Sequence, residues 1–225
     1  TLQARHMGRQ FTREGLEQSI ALYQQALAID PNYAVAWVGM ARSYSIEADI
    51  DLRPVDEAFR LAREATNKAL AIAPDYALAN AGLGLIAMKY DGDLSAATRH
   101  FEKALAQEPA NLDIIGDAGE LAWRLGRLDQ AVALDEYAVT RDPVNPDGHD
   151  RLGLAYVRIG RLDDAIASWR TAVRLNPGRI AVQLHIGWAL LLKGDGKAAL
   201  AAMQNESVEF ARLIGLVMAH HTLGN

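Results

Sequence analysis

The sequence predicts an all-α fold, a solenoid of antiparallel helix pairs, and three observations carry that prediction. Five of the seven prolines, Pro31, Pro74, Pro109, Pro143 and Pro177, are separated by 43, 35, 34 and 34 residues. Each follows one apolar-periodic stretch and precedes another, as suits a residue that lacks an N–H, cannot continue a helix and fits the turn into the next one. The segments Leu125–Pro143 and Ile159–Pro177 align without a gap at nine identities in nineteen positions. Small residues also recur at fixed places: Ala97, Ala131 and Ala165 near the start of one helix, and Ala104, Ala138 and Ala172 near its end. Leu83-Gly84, Ala118-Gly119, Leu152-Gly153 and Ile186-Gly187 mark the middle of another. A glycine inside an isolated helix costs about 1 kcal/mol relative to Ala, so its recurrence predicts close approach between helix backbones.

The repeats follow in order. Residues 1–31 hold a weak first repeat, and 32–74 the second, with Trp37, Met40, Ala41 and Tyr44 in its first helix. The second carries about nine extra residues around Ile46–Asp56, including Pro54. They are expected as a longer surface loop, tolerated because closure entropy rises only logarithmically with length; a partner-binding loop is the alternative. Residues 75–109 form the third repeat, 110–143 the fourth, 144–177 the fifth and 178–206 a shortened sixth. Residues 207–225 supply one further helix without its partner, so Val208, Phe210, Leu213, Ile214 and Val217 are expected to expose apolar surface, since repeat arrays need polar caps. The whole of 1–225 reads as a single solenoid domain.

Composition narrows the function. The chain has 225 residues, half of them apolar, and a net charge of −5. Nothing here supplies the basic stripe that nucleic acid requires. The absence of cysteine excludes disulfides and thiolate metal sites and leaves the redox compartment open. No apolar run approaches the roughly 20 residues needed to cross a bilayer. The opening Thr1-Leu2-Gln3-Ala4-Arg5-His6 has no initiator Met and no signal-peptide pattern, so the chain reads as a piece of a longer protein.

The spacing Trp37-x2-Met40-Ala41-x2-Tyr44, with Leu83-Gly84, Ala97, Phe101 and Pro109, and Leu152-Gly153-x2-Tyr156 with Ala165, Trp169 and Pro177, resembles the tetratricopeptide repeat (TPR). The resemblance spans nearly the whole chain. It implies a right-handed superhelical solenoid of antiparallel helix pairs and a non-catalytic, protein- or peptide-binding scaffold. The stretch Ala4–Tyr33 with Ala36–Ala41, the start Thr12-Arg13-Glu14-Gly15-Leu16, the insertion in the next repeat and the ending Glu209–Gly224 resemble a narrower group. These are the repeat regions of bacterial signalling proteins in which TPRs follow a class III adenylate/guanylate cyclase domain or a winged-helix domain. That resemblance implies a regulatory or docking module in the cytoplasm, with the periplasm left open by relatives that carry a membrane span. No catalytic residue carries over, because neither output domain is in this sequence.

Gly82-x-Gly84-x-x-Ala87 matches a dinucleotide fingerprint in form, but that motif needs a strand before it, and here it falls within a helix at the expected inter-helix contact. Asp147-Gly148-His149-Asp150 offers metal-friendly types, yet carboxylates just after Pro146 suit a helix N-terminus. His220 and His221 diverge by about 100° on a helix and read as a solvated pair. No nucleophile constellation exists, so no catalytic residue, metal or cofactor is expected.

The binding face should be the concave side, lined by the first helix of each repeat. Counting from each proline places Arg42, Lys89, Glu120, Trp123, Arg124, Asp150, Arg158 and Trp188 there. The offsets at which chaperone-binding TPRs place Lys and Asn to clamp a carboxylate read Val38, Ala81, Gly116, Asp150, Leu184 and Arg42, Leu85, Glu120, Leu154, Trp188, which argues against such a clamp. Mixed charge and aromatics suit an amphipathic helix or extended peptide, and Trp and Arg are enriched at hot spots. The alternative is that Trp123 and Trp188 are core. Two further readings stand beside the scaffold: self-association as a homodimer through the terminal helix, and a small-ligand sensor using the groove.

Overall fold

A computed structural model describes residues 1–223. Among the described residues it contains helices and no strand, in two compact units that divide between Leu125 and Gly126. The first unit holds α1 (Leu2–Gly8), α2 (Arg13–Ile29), α3 (Ala34–Asp49), α4 (Val55–Ile72), α5 (Ala77–Ile86), α6 (Leu94–Gln107) and α7 (Leu112–Arg124). Each helix packs on the next, while α1, α3, α5 and α7, the first helices of their repeats, lie side by side. The second unit holds α8 (Leu128–Arg141), α9 (Pro146–Arg158), α10 (Leu162–Leu175), α11 (Val182–Leu192), α12 (Gly196–Gln204) and α13 (Glu209–Leu223). There too each helix packs on its successor, and α13 also touches α11. Helix pairs repeating in this way are the solenoid organisation that the proline spacing predicts.

The repeating prolines act as anticipated. The C-cap residues Asp30, Ala73, Glu108, Asp142 and Asn176 directly precede them, each in a non-helical backbone with ψ of 73 to 96°. That is the conformation forced on a residue before proline. Asn111 and Asn145 then cap α7 and α9 by accepting hydrogen bonds from the N–H groups of Asp113 and Asp147. The turn from first to second helix is closed by Gly92, Gly126, Gly160 and Gly194, all at positive φ of 70 to 80°, a region that glycine enters without penalty. In the first two repeats Phe11 (φ 53°) and Asp51 (φ 56°) take the same left-handed conformation without that freedom.

Close approach explains the small residues. A Cβ on Gly39 would stand 2.1 Å from the Tyr23 ring, on Gly84 3.0 Å from Phe101, on Gly153 2.5 Å from Trp169 and on Gly187 2.5 Å from Met203. One large side chain thus sits in each backbone notch. Ala97, Ala104, Ala165 and Ala172 are fully buried, as is Trp169. The Gly82–Ala87 fingerprint lies on α5 and its continuation, with Gly82 against Thr66 and Gly84 against Phe101. No strand precedes it, so the packing reading of those glycines holds.

The insertion departs from expectation. It is not a long loop: α3 and α4 extend to 16 and 18 residues, leaving only Ile50–Pro54 between them. The added turns are held from within. Glu47, almost wholly buried, accepts from Arg53 Nε at 2.6 Å, and Arg53 also reaches Glu57 at 2.7 Å. The Phe59 ring stacks on Tyr90 at 5.3 Å between centroids, giving the extra length apolar cover. The 35-residue spacing before Pro109 has its own answer. The extra residue is absorbed in a π-helical turn, Ala87–Asp91, that continues α5, the usual way a helix accommodates one residue too many.

The terminal helix appears as α13, whose last predicted residues, Gly224 and Asn225, lie outside the described residues. It seats Ala211, Gly215 and Ala219 inward. Phe210, Leu213, Ile214, Val217 and Met218 form the opposite stripe, with Phe210 71% and Val217 69% exposed.

Candidate functional site

In the first unit the five anticipated residues fall into two charged groups, Arg42 in one and Lys89, Glu120, Trp123 and Arg124 in the other. Arg42 on α3 donates to Asp117 Oδ2 at 3.1 Å. Lys89, in the π-helical turn, donates to Asp49 at 2.8 Å and stands 3.4 Å from Glu120 on α7. Glu120 also accepts from Arg124 at 2.9 Å, and the Arg124 guanidinium lies 4.9 Å from the Trp123 ring centroid, a cation–π distance. Burial alone would raise the Glu120 carboxyl, but Lys89 and then Arg124 more than offset it and hold it below its ordinary value. Burial likewise disfavours the Lys89 ammonium, and Glu120 and Asp49 reverse the balance and raise it.

A third charged group involves residues that the offset count did not include. Asp113 accepts from Arg5 at 2.6 Å and from Arg9 at 2.9 Å, joining α1 to α7, the first and last first-helices of this unit. The facing walls are therefore unlike. Arg5, Arg9 and Arg42 project from α1 and α3, while Asp113, Asp117 and Glu120 project from one face of α7. Ala81, Leu85 and Met88 on α5 and its continuation are buried in the apolar core of the same unit. The acidic stripe was legible as an i, i+4, i+7 pattern, but its pairing with α1 spans 108 residues and has no local signature.

In the second unit the anticipated residues do different jobs. Asp150 on α9 is buried: its carboxylate accepts from Trp169 Nε1 at 2.9 Å and twice from Arg179, at 2.9 and 3.1 Å. His185 Nδ1 stands 3.4 Å away, its ring 5.4 Å from that of Trp169. Burial would raise this carboxyl, but His185 and Arg179 bring it down to about 2. Asp147 pairs with Arg179 as well, at 2.5 Å, so Asp147 and Asp150 share a helix face as the spacing predicts, and it is a guanidinium they hold. His149 points elsewhere, to the Pro143 carbonyl at 3.0 Å. Arg158 donates to the Leu154 carbonyl at 2.7 Å. Trp188 on α11 is 40% exposed, with Leu192 exposed one turn on, and so is not core.

Comparison with known proteins agrees with this architecture. Two family models described as tetratricopeptide repeat match residues 89–150 and 151–210, together more than half of the chain. No curated protein matches the sequence significantly. Among solved structures, the Cut9–Hcn1 hetero-tetramer of the APC/C is similar at 18% identity and a TM-score of 0.72, covering 94% of this chain and 40% of that one. Human IFIT1, solved as a dimer with m7Gppp-AAAA, is similar at 20% identity and a TM-score of 0.73, covering 86% and 46%. YrrB, described as a TPR protein with an unusual peptide-binding site, is similar at 18% identity and a TM-score of 0.54, covering 90% and 98%. The chain thus spans less than half the length of the first two.

Proposed function

The chain belongs to the tetratricopeptide-repeat family, and from that premise we propose that it is a non-catalytic scaffold that binds a protein or peptide on its first-helix faces. The observation that carries this reading is the mixed character of those faces. Trp188 and Leu192 are large apolar groups left in the open on α11, and Arg42, Lys89, Glu120, Trp123 and Arg124 form a charged and aromatic face on α3, the π-helical turn after α5, and α7. Arg158 belongs to the same set on α9, and Asp150 supports it from beneath through Trp169 and Arg179. Acidic Asp113, Asp117 and Glu120 on one wall oppose nucleic acid as the ligand. Peptide binding by YrrB and partner assembly by Cut9 lend the reading support by analogy. In the intact protein the segment serves as the regulatory repeat region of a larger bacterial signalling protein, in the cytoplasm. This is tested by selecting a displayed peptide library on the immobilised chain, then comparing affinity with an R124E/R158E/W188A variant. Enriched sequences that lose at least tenfold in affinity for the variant support the proposal. Enrichment that the variant leaves unchanged refutes the site.

One observation favours a second reading, self-association. The uncovered stripe of α13 has the i, i+3, i+4, i+7 spacing of a helix-packing face. Its acidic first turn and its His220 and His221 at the other end give an antiparallel pair of such helices complementary ends. Sedimentation of the wild-type chain and an F210E/V217E variant decides it: a concentration-dependent dimer lost in the variant supports it, and a monomer at every concentration removes it.

A further inference from the structure

We propose that α1 is an ionic strap, fastened to Asp113 of α7, that closes the first-helix face of the first unit and must release before a partner enters there. The inference rests on the scaffold reading, whose face it regulates. Two arginines four residues apart, Arg5 on α1 and Arg9 at its C-cap, converge on one carboxylate. Arg5 Nη2 lies 2.6 Å from Asp113 Oδ2, and Arg9 Nη2 lies 2.9 and 3.3 Å from its two oxygens. Asp113 itself is well covered, with only 14% of its side chain exposed, whereas the arginines are 52% and 41% exposed. The anchor is fixed and the strap side is open to solvent.

The rest of α1 packs on α2 through small groups and gives the core no large side chain. Its only buried residues are Ala4 and Gly8, small groups resting near α2, and Leu2 is exposed. By contrast, α2 buries Leu16, Ile20, Tyr23 and Leu27. A segment with few large apolar contacts opens at a lower free energy than the body it rests on. The turn that joins α1 to α2 holds Phe11 at φ 53°, a conformation that side chains other than glycine's rarely adopt. A second rung, Arg42 to Asp117 at 3.1 Å, runs between α3 and the same face of α7. While both rungs are made, the cationic and acidic walls satisfy one another, and an incoming charged segment has to displace them. The arginine ends of the α1 pairs are open to solvent, so salt reaches and weakens them and the strap can open and close.

The test needs no partner, so its failure is separate from failure of the scaffold reading. The chain has no cysteine, so Q3C/A110C places two nitroxide labels uniquely, one on α1 and one at the entrance to α7. Pulsed dipolar spectroscopy should give a narrow distance distribution at low salt. It should lose that population in 1 M salt, where the screening length is about 3 Å, and equally in D113N. Reversing the charges with R5D/R9D/D113R should restore it at low salt. An R60C/R99C pair on α4 and α6 should stay unchanged throughout. A narrow distribution that survives both salt and D113N overturns the strap, and so does broadening that the α4–α6 pair shares.

Discussion

Replacing Trp169 with Ala should nearly unfold the second unit, and the magnitude follows from its surroundings. The side chain has 0% exposure and fills the notch above Gly153. Truncating a fully buried Trp costs about 3–5 kcal/mol in transfer and cavity terms. The indole N–H also donates to buried Asp150, and losing a hydrogen bond to a charged acceptor adds about 1.5 kcal/mol or more. The total falls at or above about 5 kcal/mol, against about 5–15 kcal/mol for a whole domain. W169F keeps an apolar ring and loses only the N–H and some volume, so it should cost about 1–3 kcal/mol. Urea unfolding followed by circular dichroism reads both. At a slope of about 2 kcal/mol/M, W169F moves the midpoint of the transition carrying this unit by about 1 M, and W169A removes most of that transition. A W169A cost below about 1 kcal/mol would refute the claim that this residue keys α9 to α10.

Other outcomes follow from the same geometry. Gly153→Ala should destabilise by about 1–3 kcal/mol despite better helix propensity, because its Cβ would meet the Trp169 ring at 2.5 Å. Gly160→Ala, with nothing within 4 Å but φ at 77°, should cost only the left-handed penalty of about 1–2 kcal/mol; thermal melts rank the two. Asp150 is held at about 2, below its unfolded value, so its contribution of roughly 2 kcal/mol is present above about pH 4 and lost as pH falls through about 2. Acid unfolding of D150N should lack that component. R124E/R158E should weaken partner binding while leaving helicity and melting temperature within a few degrees of wild type, and a sharp drop in melting would instead assign these residues to the fold.

Much of the fold was legible because its signals are local. Proline after the second helices α2, α4, α6, α8 and α10 and a small residue at each crossing fix helix ends and contacts without knowledge of distant sequence. At the insertion near Ile46–Asp56 the extra length lies in the helices α3 and α4 and not in a longer loop. The deciding feature was burial of Glu47 against Arg53, which lets the added turns stay helical. The face was legible only as offsets. Counting placed Glu120 and Lys89 on it, but could not say that they would be ion-paired to one another. It also left out Arg5 and Arg9, whose carboxylate lies more than a hundred residues away. Asp150 shows the same limit, because its offset matched the face while Trp169 and Arg179 turned its carboxylate inward.

The central claim, that partners bind on first-helix faces, is met most directly by placing a photo-crosslinking amino acid at three positions in the intact protein in cells. Trp123 on α7 and Trp188 on α11 belong to the proposed faces, while Tyr137, as exposed as Trp188 at 40%, lies on a second helix, α8. Covalent adducts of one discrete mass from positions 123 and 188, and none from 137, are the predicted result. Adducts from position 137 alone, or from all three alike, would contradict it.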